Sequence, residues 1–459
     1  MSKNSHAVLA LVATLLITTT TLAEVKPHAL FTDGMVLQRN TEAPVWGTGA
    51  NGEAVAVEFL GKKYSTTVKE GKWKVAITTP DDGGPFFLKI SGSNTVEIND
   101  VLVGDVWVGS GQSNMAFGLK GDEKGKEAAA KAADPMLRLF RVKPRQSFTQ
   151  EYEIDGKWAH CTPETAIKFS AVAYYFGRHL RENLDVPIGL ISAPVGGTPA
   201  ESWMSEDAIR DTPATRPYVD YFEERANNYD AEMAAYKKAF NEYKEAVEKA
   251  RKEGLPNPSM PAAVRPMKRE SVSRPSALFN GMIAPLIPNA IKGVIWYQGE
   301  SNALLDPTYA NYDEVFPALI TDWRTQWGRG DFPFLFVLLP GYGLKEEERW
   351  VAVREAQIKA LLLPNTALAS AIDLGGAKEL HPREKGPLGE RMALSALGVA
   401  YGKDVPYIGP TYDSVIIESG KATVKFTNTH GGLKLKAKEL GGFLIAGGKI
   451  GNSTKPMRR

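Results

Sequence analysis

Five apolar runs, each handing over to glycines, amides, hydroxyls or a histidine, constrain this chain more than any other feature. They are "LVGDVWVGSG" at 102–111, "PIGLISA" at 187–193, "KGVIWYQ" at 292–298, "FPFLFVLL" at 332–339 and "TALASAID" at 366–373. Strands that are apolar on both faces belong to parallel sheets covered on both sides. The stretches between them read as helices. "SAVAYYFGRHLRENL" sets Val172, Phe176 and Leu180 four apart on one face, and "GPLGERMALSALGVAYG" carries Met392, Leu394, Leu397 and Val399. Residues 101–402 are therefore expected to form a doubly wound α/β domain, a parallel sheet with helices on both faces.

The flanks read differently. Residues 24–100 hold short alternating strands such as "AVAVEFLGKKYSTTV", "GKWKVAI" and "GPFFLKIS" with turn residues between them. That spacing predicts a small β-sandwich, joined to the α/β domain without a flexible linker. An insertion at about 218–268 opens with a charged helical stretch, 220–254. Its apolar stripe is Tyr229, Met233, Tyr236, Phe240 and Tyr243, and the proline-rich "LPNPSMPAAVRPM" stops it. This is an arm standing off the core, expected to be structural. Residues 403–459 return to strands in "SVIIESGKATVKFTNT" and "GGFLIAGGKI", a partial β module.

Residues 1–23 have the form of a secretory signal peptide. Lys3 precedes an apolar stretch, and Thr21-Leu22-Ala23 supplies a small-residue cleavage site. The expected destination is secreted or periplasmic. No other segment approaches the roughly 20 apolar residues of a membrane-spanning helix, so no stable membrane insertion is expected. The formal net charge of +2 gives a nucleic acid no field to follow. Cys161 is the sole cysteine, expected to be a buried small hydrophobe, and it leaves no internal disulfide.

In an open α/β sheet, ligands bind beyond the carboxyl ends of the strands. The residues placed there are Gln112-Ser113-Asn114, Gly196-Gly197-Thr198, Gly299-Glu300-Ser301-Asn302 and His381-Pro382. Taken singly, each has an ordinary reading as a turn or a strand end. Converging on one crevice, they supply what acyl transfer needs: a nucleophile, a base and donors for an oxyanion. There is no His-Glu-x-x-His and no phosphate-binding loop, and Met115 breaks the Gly-x-Ser-x-Gly elbow of the α/β-hydrolases. His28, His160, His179 and His430 fall outside the strand-end set. His381 follows the last strand, and Pro382 biases its backbone towards an extended form. Ser113 is thus the expected nucleophile and His381 the expected base.

"VWVGSGQSNM", "SAPVGGTPAESW", "LFNGMIAPLIPNAIKGVIWYQGESNA" and "DLGGAKELHPREKGPLGERMA" resemble the sialate O-acetylesterase family, a branch of the SGNH-type hydrolases. The likeness runs in order from "LFTDGMVLQRNTEAPVWG" to "GGFLIAG", nearly the whole chain after the leader. It implies an SGNH, flavodoxin-like sheet and a serine esterase without metal or cofactor, acting on an O-acetylated sugar or glycan. By the resemblance, Ser113 attacks the acetyl carbonyl and His381 takes and returns the proton. The oxyanion is held by the backbone N–H of Ser113, a backbone N–H at Gly196 or Gly197, and the Gln298 side chain. Gln112, Asn114, Glu300 and Asn302 contact substrate or orient the loops.

Two departures stand out. Many SGNH hydrolases carry an aspartate three residues before the histidine, where this chain has Lys378. Asp373 is assigned as the acid that orients His381, with Glu379 or a Ser–His dyad as alternatives. The chain also ends in "GNSTKPMRR" where similar proteins continue with more β structure, the pattern of a truncated module. Nothing in the residues selects sialic acid over acetylated xylan or another polysaccharide, and no arginine pair in the quoted loops offers a partner for sialate's carboxylate. Trp203, Trp296 and Tyr297 are candidates for sugar stacking, with burial in the core the commoner fate of such positions. A non-catalytic carbohydrate-binding protein and an assembly protein working through the arm are the alternatives from other classes. The subunit count is not legible in the sequence.

Overall fold

A computed structural model of the protein describes residues 24–259, 266–305, 308–343 and 347–434. Residues 1–23, expected as a leader, and "GGFLIAGGKI" lie outside the described residues. The central sheet is built from Thr95–Gly111 (β1), Asp134–Arg141 (β2), Trp158–Cys161 (β3), Ile188–Pro194 (β4), Gly293–Tyr297 (β5), Phe334–Leu338 (β6) and Thr366–Ser370 (β7). Its order is β3-β2-β4-β1-β5-β6-β7. β3 runs antiparallel to β2, and every other neighbouring pair in this series is parallel. The five runs read as strands are β1 and β4 to β7. β2 escapes that reading because Arg138 and Arg141 interrupt it. Arg138 is nonetheless buried, its guanidinium held by both carboxylate oxygens of Asp100.

Helices cover both faces. Ala171–Asn183 (α2) packs on Gly386–Val399 (α8), and Tyr312–Trp327 (α6) on Glu347–Lys359 (α7). The expected apolar stripe of α2 is fully buried at Val172, Phe176 and Leu180. His179 stays partly exposed on that helix, 3.5 Å from Glu182. Cys161 is buried as expected, and burial pushes its thiol up to about 12.

The β-sandwich and the α/β region share one strand. The 17-residue β1 begins by pairing antiparallel with Gly83–Ser91 and parallel with Val36–Gln38. It ends between β4 and β5 in the central sheet. The expected boundary at residue 100 therefore falls inside a continuous strand, which explains why no linker is visible. A three-stranded sheet of Lys26–Pro27, Glu42–Thr48 and Lys72–Thr78 forms the other layer, with Trp46 and Trp73 buried.

The insertion is two helices rather than one, Arg216–Asn227 (α3) and Tyr229–Lys252 (α4), parted at Asn228. α3 buries Tyr218, Phe222 and Ala226, whereas α4 fully buries only Ala250. The buried residues of α3 form a small apolar cluster of their own, with Met267 and Leu305 packed against it, and α4 is largely exposed. Thr411–Glu418 and Lys421–Thr427 form a separate antiparallel hairpin, with Ile417 at 76% exposure.

Candidate active site

The strand order reverses at β1, since β2 and β4 lie to one side and β5 to β7 to the other. Loops leaving β1, β4 and β5 diverge there and open a crevice. Gly111 ends β1 with φ +130°, and a Cβ on it would sit 2.2 Å from the Tyr297 carbonyl oxygen. Only glycine lets the two strands run this close. The Gln112 N–H then donates to that same carbonyl, and the chain turns into the short helix Ser113–Ala116 (α1). As the first residue of α1, Ser113 has a backbone N–H without an intrahelical acceptor.

The Ser113 hydroxyl lies 2.8 Å from His381 Nε2, bringing together residues 268 apart in the chain. On the β4 side, Gly196 sits against the serine: a Cβ there would be 3.3 Å from Ser113 Cβ. Gly197 follows with φ +73° and open space around it. Sequence reasoning placed all four of these residues at one crevice, and the structure brings them together.

Asn114 is the hub beneath the serine. Its Nδ2 donates to Glu300 Oε1 and to the Leu380 carbonyl at 3.0 Å, while its Oδ1 accepts from Lys385 Nζ at 2.5 Å. Holding Leu380 fixes the backbone immediately before His381. On the other side, the Glu123 N–H donates to the Arg383 carbonyl. Asp122 accepts from the Lys385 N–H at 2.7 Å and from the Tyr175 hydroxyl at 2.8 Å. The histidine loop is therefore pinned on both flanks.

Charge beneath the site is confined. Lys385 is fully buried, and burial pulls its ammonium down to about 8 despite the opposing pull of Glu300 and Asp122. Burial pushes Glu300 up against its bond from Asn114. His381 is held below its ordinary value, by partial burial first and by the Lys385 ammonium second. An imidazole so placed stays neutral, and able to accept a proton, at lower pH than a free one.

Two assignments need correction. Asp373 does not hydrogen-bond His381; both its oxygens are taken by Arg391, at 2.6 and 2.9 Å. Among the described residues no carboxylate oxygen lies within ion-pair distance of the His381 ring, Glu379 included. Gln298 is fully buried, and its amide N–H groups donate to Asn302 Oδ1 at 2.7 Å and to the Thr198 carbonyl at 3.2 Å. Both hydrogens are spent inside the protein, so none is aimed at a developing oxyanion. Trp203, Trp296 and Tyr297 are fully buried in the core, the commoner of the two fates expected for them.

The remaining predicted residues orient loops. Gln112 Oε1 accepts from the Ser301 N–H at 3.1 Å. Asn302 is fully buried; its Oδ1 accepts from Ala200 N–H, and its Nδ2 donates to Glu201 Oε2 at 3.0 Å. Glu201, Asp122 and Lys385 were missed because each is an ordinary charged residue in sequence. Only the packing shows that they are buried. The one trace was Lys385 standing four residues after His381, at the entry to the apolar α8. Among the described residues no three His, Cys, Asp or Glu side chains gather to hold a metal ion.

An open α/β sheet with a hydroxyl–imidazole pair at its switch point defines the class: a carboxylic ester hydrolase. Residues 103–255 and 267–397 match the family described as carbohydrate esterase, sialic acid-specific acetylesterase. The chain is 35% identical to the mouse sialate O-acetylesterase over 428 residues, 82% of this chain and 74% of that protein. It is 31% identical to the human sialate O-acetylesterase over 439 residues, covering 86% and 74% of the two chains. A crystal structure of a carbohydrate acetylesterase from Xanthomonas citri superposes with TM-score 0.73 at 34% identity, covering 88% of this chain and 82% of that one. The chain belongs to the sialic acid-specific acetylesterase family of carbohydrate esterases.

Proposed function

We propose that this protein is an exported serine esterase that removes O-acetyl groups from sugars through an acetyl-serine intermediate. The observation that carries the reading is the 2.8 Å contact between Ser113 Oγ and His381 Nε2. His381 Nε2 takes the hydroxyl proton as Ser113 Oγ bonds to the acetyl carbonyl carbon. The carbonyl oxygen becomes an oxyanion facing the backbone N–H of Ser113 and that of Gly196 or Gly197. As the intermediate collapses, the sugar oxygen leaves and takes the proton from His381. Water then attacks the acetyl-serine with His381 again as base, releasing acetate and restoring the hydroxyl. Two backbone donors and a loop-pinned dyad do the work here. Each good oxyanion donor is worth roughly 2.7–4 kcal/mol in such sites.

The leader-like residues 1–23 support export. Acetate release from 4-nitrophenyl acetate and from acetylated glycans tests the chemistry. Ser113→Ala is expected to lose at least about a thousand-fold in kcat, the scale of removing a member of such a unit. Equal turnover by the folded wild type and variant would eliminate Ser113 as nucleophile.

A further inference from the structure

The arm has a consequence for the substrate. A groove of about 730 Å³ opens beside the crevice, and Gly196 and Gly197 form one end of its wall. Its other walls are Tyr229, Met233 and Tyr236 of α4, together with the returning segment 266–273. The apolar stripe visible in the sequence is therefore not only packing, because these three side chains remain partly exposed along the groove. Since Gly196 also stands against Ser113, with a Cβ on it 3.3 Å from the serine's, the groove opens next to the nucleophile.

The chemistry of this wall suits a sugar chain. Tyr229 and Tyr236 are seven residues apart and share a helix face, about 10.5 Å along the axis at 1.5 Å per residue. That leaves room for more than one pyranose ring. The apolar C–H face of a pyranose packs on the negative face of an aromatic ring, with hydroxyls left for polar neighbours. Tyr236 is held in place by stacking on Phe240, with the rings 7° from parallel. Lys268 Nζ lies over one face of the Tyr229 ring, 5.3 Å from its centre, and brings an ammonium donor to this wall. Lys268 and Glu270 are the only charged side chains among the described lining residues, and their charges cancel.

We infer that this face of the arm is a glycan subsite, and that the acetyl group arrives on an uncharged oligosaccharide or polysaccharide rather than on a free monosaccharide. The inference rests on the esterase reading given above, and its test separates the two. The probes are chemically acetylated xylohexaose, acetylated xylose and 4-nitrophenyl acetate. For Tyr229→Ala/Tyr236→Ala, the ratio of kcat/KM on the hexasaccharide to that on 4-nitrophenyl acetate is expected to fall by about tenfold or more, the loss typical when aromatic anchors are truncated. The fall should appear in KM. Tyr229→Phe/Tyr236→Phe keeps both rings and should keep most of the ratio, which guards against a misfolded alanine variant.

Binding gives a readout independent of turnover. Ser113→Ala protein should bind unacetylated xylohexaose by calorimetry, and the same protein with both tyrosines replaced by alanine should bind it at least about tenfold more weakly. An unchanged ratio, an equal loss on acetylated xylose, or tyrosine-independent binding overturns the subsite. Tyrosine-dependent binding of a sialylated oligosaccharide in preference to xylohexaose overturns the uncharged assignment. A folded wild type that releases no acetate from any of the three probes would sink the esterase reading instead and leave the binding result standing.

Discussion

Glu201 offers a clean test of how the site is held from behind. It is 1% exposed, in the turn that follows the Gly196–Gly197 loop, and its Oε2 accepts from Asn302. Burial raises its carboxyl from 4.5 to about 7. In the unfolded chain the group ionises near its ordinary value, so between pH 4.5 and 7 the unfolded state has lost a proton that the folded state retains. The associated stability is complete below pH 4.5 and is lost as pH rises through 7. At 1.36 kcal/mol per pKa unit the loss is about 3 kcal/mol. Glu201→Gln keeps the shape and an acceptor for Asn302 but cannot ionise. Its stability relative to wild type should therefore rise by about 3 kcal/mol between pH 4.5 and 8. For a chain of this length that is a shift of about 3 °C in melting midpoint, at an unfolding entropy of ~2.1 cal/mol/K per residue. Thermal melts of both proteins across pH 4.5–8.5, followed by tryptophan fluorescence, read this directly. Parallel curves for the two proteins would refute the reasoning, because they would show that the folded protein holds an ionised Glu201 without cost.

Two further outcomes follow from the same geometry. The acidic limb of kcat/KM on 4-nitrophenyl acetate should have its midpoint below pH 6.5, since burial and the Lys385 ammonium both disfavour the His381 imidazolium. Lys385→Met, confirmed folded by circular dichroism, should move that limb to higher pH; a limb that stays in place removes Lys385 from the account. Asp373→Asn should reduce kcat by less than about tenfold, because Asp373 is clasped by Arg391 rather than by His381. A loss near 10⁴, as when a triad acid is removed, would restore it as the orienting carboxylate.

The particular way each residue became legible, or did not, has a physical cause. Apolar runs are visible in sequence because a strand buried on both faces must be apolar along its whole length. β1 and β4 to β7, and hence the crevice at their carboxyl ends, are therefore legible in the sequence alone. Ser113 and the Gly196–Gly197 pair were legible for the same reason, since they directly follow such strands, and His381 because it lies in the loop after the last of them. β2 was not, because a buried arginine looks like a surface arginine until Asp100 is seen beside it. The direction of an amide is also invisible in sequence: Gln298 sits where a donor was expected, yet Thr198 and Asn302 turn it inward. The missing triad acid, the buried Lys385 and the groove under the arm all depend on contacts between residues tens to hundreds of positions apart. The sequence by itself determined five of the sheet's strands, the helices that cover it, and the serine and histidine set beyond the strand ends, because these follow from local periodicity and chain order. Only the tertiary structure decided which charges are buried, which polar groups are already satisfied and which face of the arm lines the site.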